Sequence, residues 1–86
     1  MTADEAKSVL HSAFKPLVLA ALSYVNLQDK ELDVLILRHM RGKTQEKIAE
    51  EMGCSVNGLQ KIEYRAIEKC CEVWDKLYFV QEMLRM

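Results

Sequence analysis

The stretch QEKIAEEMGCSVNGLQKI, residues 45–62, decides the fold of this chain. Its apolar residues recur at helical spacing in two short runs, with one small residue where two helices would cross closely. The apolar residues are Ile48, Met52, Leu59 and Ile62, and the small one is Ala49. Gly53 separates the runs and suits a turn with positive φ, while Thr44 and Ser55 are good N-caps. This pattern predicts a helix-turn-helix at residues 45–65.

The flanking sequence predicts further helices and no strands. Thr2 and Glu5 have capping-box spacing, and a first helix is expected over residues 3–25, kinked or split near Phe14 by the following proline. A second helix is expected from Asp29 to a left-handed glycine cap at Arg41-Gly42. The predicted fold is therefore all-α, a single domain over residues 1–86, with an N-terminal helix and a long C-terminal helix.

The C-terminal helix is predicted to run without interruption from Val56 to about Leu84, because no stop signal intervenes. Its apolar residues alternate by four and three beyond residue 66, and a second apolar stripe lies beside them. One neighbouring helix cannot cover both stripes, so residues 66–86 are expected to be a packing or dimerisation helix of a homodimer. The predicted dimer contacts are Cys70, Val73, Trp74, Leu77, Val80 and Leu84.

Composition excludes several function classes. The chain has 86 residues, 50% hydrophobic and 29% charged, which is typical of a globular helical protein. No apolar run would span a bilayer and no signal peptide is evident, which predicts a cytoplasmic protein without membrane contact. The three cysteines and two histidines lack ligand spacing, so no metal or other cofactor is expected. No nucleophile, carboxylate pair or glycine-rich phosphate loop stands out, so the chain is not expected to be an enzyme.

The net charge is −1, but residues 38–69 hold seven Lys and Arg against five Asp and Glu. Within that segment Lys61, Arg65 and Lys69 recur every four residues and predict a basic edge suited to a phosphate backbone. The alternative is a solvated helix face, since Glu63 and Glu68 are interleaved with the basic residues.

Polar residues around the two motif helices are candidates for DNA contact. The amides of Asn57 and Gln60 match the donor and acceptor that adenine displays in the major groove. Surface amides that have no role in binding would give the same sequence pattern. Residues at the start of the first motif helix commonly hold a phosphate. The predicted DNA contacts are Arg41, Lys43, Thr44, Gln45, Ser55, Val56, Asn57, Gln60, Lys61, Tyr64, Arg65 and Lys69.

Residues 27–70 resemble region 4 of sigma-70-type transcription initiation factors and the related LuxR-type regulators. The resemblance lies in LQDKELDVLILRHMRGKT, QEKIAEEMGCS and LQKIEYRAIEKC, which are similar to the family's helical entrance, turn and final helix. It implies a bacterial or phage protein whose second motif helix, residues 56–65, enters the major groove of double-stranded DNA. By this resemblance Val56, Asn57, Gln60 and Lys61 stand at DNA-contacting positions.

The chain departs from sigma factors at the start of that helix, where they usually place several arginines and where Val56, Asn57 and Gly58 stand here. This departure predicts a target other than the standard −35 promoter element. The leading prediction is a sequence-specific transcription regulator. The alternative is an interaction module that has the helix-turn-helix fold but binds RNA polymerase or a sigma or anti-sigma partner.

Overall fold

The computed structural model describes residues 1–85, and all regular structure in that range is helical. This confirms the all-α prediction. The chain divides into two compact units, one formed by Met1–Asn26 with Ile67–Met86 and the other by Leu27–Ala66. The helices are α1 (Ala3–Leu10), α2 (Lys15–Ser23), α3 (Asp29–Leu35), α4 (Gln45–Met52), α5 (Val56–Trp74) and α6 (Tyr78–Arg85), with a π-helical segment at Ile36–Met40.

The unit Leu27–Ala66 contains the predicted helix-turn-helix. Helix α4 begins after Thr44, whose hydroxyl accepts a hydrogen bond from the Lys47 backbone N–H at 3.2 Å. It ends at Gly53, which has a φ of 68° in the left-handed region. The Ser55 hydroxyl then accepts from the Gly58 N–H at 3.0 Å in the first turn of α5. Both caps and the glycine turn are confirmed. The buried core cluster of the unit is Val34, Ile48, Ala49 and Leu59.

Helix α3 passes into the π-helical segment without a break. The Arg41 backbone N–H donates to the Ile36 carbonyl at 3.0 Å, a five-residue step that widens the last turn. Gly42 follows with a φ of 69°, as the sequence predicts. The widened turn carries Arg38 and His39, of which His39 is buried.

In the other unit, the predicted first helix is split in two. Helix α1 ends at Leu10 and α2 begins at Lys15, so the break near Phe14 is confirmed. Pro16 lies in the first turn of α2. A backbone N–H there would have no partner within the helix, so the missing N–H of proline destabilises the helix little. The capping box of α1 is also confirmed, since the Thr2 N–H donates to Glu5 Oε1 at 2.9 Å.

The prediction of one continuous C-terminal helix is wrong. Helix α5 ends at Trp74 and α6 begins at Tyr78, after a short turn. The indole Nε1–H of Trp74 donates to the Ala21 carbonyl at 2.9 Å, and the Gln81 side chain donates to the Trp74 carbonyl at 3.0 Å. Asp75, the first residue of the turn, forms an ion pair with the Met1 amino group. The contacts with Ala21 and Met1, which are distant in the chain, end the helix where no local stop signal exists.

The broken helix removes the continuous seam on which the predicted dimer interface was based. Among its predicted residues, Cys70, Trp74 and Val80 are each 0% exposed in a single chain. Val73, Leu77 and Leu84 are half-buried. Helix α6 packs against α1 instead of continuing α5. Dimerisation itself stays a prediction, now with fewer available residues.

No helix within residues 1–85 is both long enough and apolar enough to cross a membrane.

The buried Trp74 hydrogen bond predicts a large effect of a conservative change. Trp74→Phe removes the donor to the Ala21 carbonyl and leaves a small void, so the free energy of unfolding should fall by about 2–4 kcal/mol. Urea unfolding followed by circular dichroism measures this. Tyr78→Phe is the control. Because Tyr78 is 79% exposed, loss of its hydroxyl group should change the free energy of unfolding by no more than about 0.5 kcal/mol. Equal effects of the two variants would refute the role given to Trp74.

Candidate nucleic-acid interface

The first turns of α5 present one polar face of the unit Leu27–Ala66. Leu59 anchors the helix in the buried core cluster, and the Ser55 cap fixes where the helix begins. Residues spaced three and four apart then fall on one side of the helix. A shallow cleft, which we call the α5 cleft, is lined by Asn57, Gln60, Lys61, Tyr64 and Arg65.

The α5 cleft is chemically suited to a polyanion that also carries hydrogen-bonding groups. All five lining side chains are exposed, and Tyr64 is 67% exposed. Lys61 and Arg65 supply two positive charges, while none of the five lining residues is acidic. The two amides supply donors and acceptors of the kind that read base edges.

Glu63 lies within the same segment but is turned into the protein. Its side chain is only 10% exposed and forms an ion pair with Arg38, whose Nη1 lies 3.0 Å from Glu63 Oε2. His39 Nε2 lies 3.8 Å from the other carboxylate oxygen. The interpretation of Glu63 as part of a solvated, mixed-charge face is therefore wrong. Its negative charge is compensated inside the unit and does not offset the cations of the α5 cleft.

Arg38 was missed by the sequence analysis, although one signal for a buried partner was present. Glu63 follows Leu59 by four residues and precedes Ala66 by three, which places it on the buried face of α5. A carboxylate at such a position needs a cation or several donors nearby. The pattern shows that a partner is needed, but it does not show which one.

Arg38 also reaches α4. The side-chain amides of Gln45 and Gln60 lie 3.3 Å apart and connect the first turn of α4 to α5. The other side of the Gln45 amide faces the guanidinium group, with Arg38 Nη2 at 3.2 Å. Gln45, predicted to contact DNA, is thus half-buried and engaged within the protein.

At the start of α4 the predicted phosphate contacts differ in availability. Arg41 and Thr44 are exposed. Lys43 is paired with Glu51, its Nζ lying 2.9 and 3.1 Å from the two carboxylate oxygens. The hydrogen bond from Lys43 lowers the pKa of the Glu51 carboxyl, so this acidic group is ionised at neutral pH and competes with any phosphate for Lys43.

Comparison with protein families decides the relationship. The family model described as sigma-70, region 4 matches residues 25–71, more than half of the chain. The chain belongs to this family. Region 4 is a helix-turn-helix, DNA-binding and non-enzymatic type of domain that acts in transcription. Comparisons with curated proteins and with solved structures found no match.

The remaining predicted contacts of this region 4 domain have other roles or lie elsewhere. Val56 is half-buried against the core cluster, which reduces the surface it can offer to a base. Ser55 is engaged as the cap of α5. Lys69 is half-buried and belongs to the unit formed by the chain's two ends. Of the predicted contacts, five are brought together in the α5 cleft, and their contact with DNA stays a prediction.

Among residues 1–85, no three His, Cys, Asp or Glu side chains are grouped as metal ligands.

The Lys43–Glu51 pair predicts that one substitution should strengthen DNA binding. Glu51→Gln releases Lys43 and removes a negative charge, so affinity at low salt should rise on the order of twofold to fivefold. Fluorescence anisotropy with a labelled duplex measures it. Glu50→Gln is the control, because it removes the same charge from the neighbouring exposed position and leaves the Lys43–Glu51 pair intact. Equal gains from both variants would show that general charge, and not the release of Lys43, is responsible.

Proposed function

We propose that this region 4 domain is a transcription regulator that binds double-stranded DNA sequence-specifically, with residues 56–65 of α5 in the major groove. The observation that carries the proposal is the inward position of Glu63, paired with Arg38 at 3.0 Å. It leaves Lys61 and Arg65 in a cleft whose lining holds no carboxylate. Two exposed cations beside two exposed amides, in a cleft whose lining is free of carboxylates, suit a groove bordered by phosphates.

The proposed contacts divide into two kinds. Lys61 and Arg65 are long, exposed cations that bind phosphate oxygens and position α5 along the duplex. Asn57 and Gln60 lie nearer the start of the helix, which is the part that enters deepest when a recognition helix docks in the groove. Arg41 and Thr44, at the entrance of α4, add phosphate contacts on the adjoining backbone.

A second candidate function is an interaction module that binds RNA polymerase or a sigma or anti-sigma partner. Two observations favour it: the net charge of −1, and the exposed carboxylates Glu46 and Glu50 on α4. Acidic groups at that position repel a phosphate backbone but suit a basic protein surface. The salt dependence of DNA binding separates the two candidates.

The homodimer and the cytoplasmic location are parts of the proposal that rest on the sequence. A two-fold pair would present two copies of α5 to half-sites about one helical turn apart. The half-buried residues Val73, Leu77 and Leu84 are the ones still available for such a contact.

The cations of the α5 cleft should be needed for DNA binding and dispensable for folding. Lys61→Ala combined with Arg65→Ala should weaken binding at least about tenfold at moderate salt, because fewer phosphates are neutralised and fewer counterions are released. The melting temperature should change little, because both side chains are exposed. Electrophoretic mobility shift and thermal melting measure the two quantities.

The matched control is Lys76→Ala with Arg85→Ala, which removes the same two residue types from exposed positions outside the cleft. This control should retain the affinity of the unmodified chain. If the cleft variant binds DNA as tightly as the control, the placement of α5 is wrong. Binding that does not weaken as salt rises would instead favour the protein-partner function.

A further inference from the structure

We infer that Gln60 presents only its amide N–H group to DNA, because its amide oxygen is held by Gln45, so that Gln60 contacts a hydrogen-bond acceptor. The inference rests on the proposed function and adds the chemical group that one position of α5 recognises. It follows from the row of polar side chains Glu63, Arg38, Gln45 and Gln60, whose neighbouring members lie within 3.3 Å of each other.

The row begins inside the protein. The Glu63 carboxylate is 10% exposed and, when ionised, can only accept hydrogen bonds. It holds the Arg38 guanidinium at 3.0 Å, and that group is planar, permanently charged and able only to donate. The position of Arg38 is therefore set by a buried charge, and its remaining N–H groups point toward α4 as donors.

Arg38 determines which way the Gln45 amide points. A guanidinium group cannot accept a hydrogen bond, so the Gln45 atom that faces it must be the oxygen. In that orientation Gln45 Oε1 accepts from Arg38 Nη2 at 3.2 Å and also contacts Nη1. The hydrogen-bonding partners assign the two ends of an amide, and here they place the NH2 group of Gln45 toward Gln60.

Gln60 is oriented by the same rule of donors and acceptors. Gln60 Nε2 lies 3.3 Å from the nearest atom of the Gln45 amide, and once Gln45 turns its NH2 group to that side, two NH2 groups would face each other and both would lack an acceptor. The Gln60 oxygen must therefore turn toward Gln45 and accept from it. Because Gln60 is exposed, its own NH2 group is then directed away from α4, into the α5 cleft.

This orientation changes what Gln60 can recognise. An unrestrained glutamine reads adenine with its oxygen and its NH2 group together. With the oxygen occupied, Gln60 donates to an acceptor, either a base-edge atom or a phosphate oxygen. Guanine is the favoured base because its major-groove edge offers two acceptors, O6 and N7, whereas cytosine offers a donor. The bidentate pairing with adenine predicted from the sequence is thereby replaced.

The test is to reverse the orientation with one isosteric change. In Gln45→Glu the carboxylate accepts from Arg38 and also from the Gln60 NH2 group, which turns the Gln60 oxygen outward. Selection from randomised duplexes, followed by titration of the selected sites, compares this variant with the unmodified chain. Lys47→Gln is the control, since it removes one unit of positive charge from the same turn of α4 without touching the row.

Two results support the inference and identify the acceptor. If it is a base, Gln45→Glu should lose the guanine preference at one position by about tenfold relative to the control and gain adenine or cytosine there. If it is a phosphate, the variant should select the same sequence but lose as much affinity, relative to the control, as Gln60→Ala loses relative to the unmodified chain.

The inference is overturned if Gln45→Glu matches Lys47→Gln in both base preference and affinity, or if Gln60→Ala changes neither. If the unmodified chain selects no sequence and binds no duplex, the proposed function fails, and the inference with it. Side-chain amide exchange measured by NMR without DNA tests the orientation alone. The Gln45 NH2 protons should exchange more slowly than those of Gln60, and the reverse order would show that the row is oriented the other way.

Discussion

The ion pair between Glu63 and Arg38 is the constraint on which the functional surface depends. A carboxylate on the buried face of α5 destabilises the fold unless a cation lies beside it, and Arg38 Nη1 lies 3.0 Å from Glu63 Oε2. The pair joins α5 to the π-helical segment and keeps the Glu63 carboxylate out of the α5 cleft, whose charged residues are Lys61 and Arg65. Removing either partner would leave an uncompensated charge inside the unit that carries the helix-turn-helix. The same interaction thus supports packing and sets the electrostatics of the α5 cleft.

The local geometry of the π-helical segment explains how both oxygens of the Glu63 carboxylate are matched. The widened turn at Ile36–Met40 carries both Arg38 and His39 toward Glu63, so that each carboxylate oxygen has its own basic neighbour. Arg38 extends further to the Gln45 amide, which lies beside Gln60. The buried Glu63 carboxylate is in this way connected, through Arg38 and Gln45, to the amide of Gln60 at the protein surface.

Much of the fold follows from local sequence chemistry, whereas the rest depends on distant contacts. Thr44, Ser55 and Gly53 act through neighbours three to five residues away, so the helix-turn-helix was predictable. The end of α5 was not, because the heptad pattern continues through the turn that follows Trp74. That end depends on the bond to the Ala21 carbonyl, which is 53 residues distant. The α5 cleft was predicted in part, but the orientation of Gln45 and Gln60 depends on Arg38, which no local pattern connects to them.

A double-mutant cycle on the pair of Glu63 and Arg38 tests its central role most directly. Arg38→Met, Glu63→Gln and the double variant would be compared with the unmodified chain by urea unfolding, which gives the coupling free energy between the two side chains. If the pair supports the unit as described, the coupling should be about 1–3 kcal/mol, with either single variant nearly as unstable as the double. Effects that add to within about 0.3 kcal/mol would show that the two residues do not support each other, and would contradict that role.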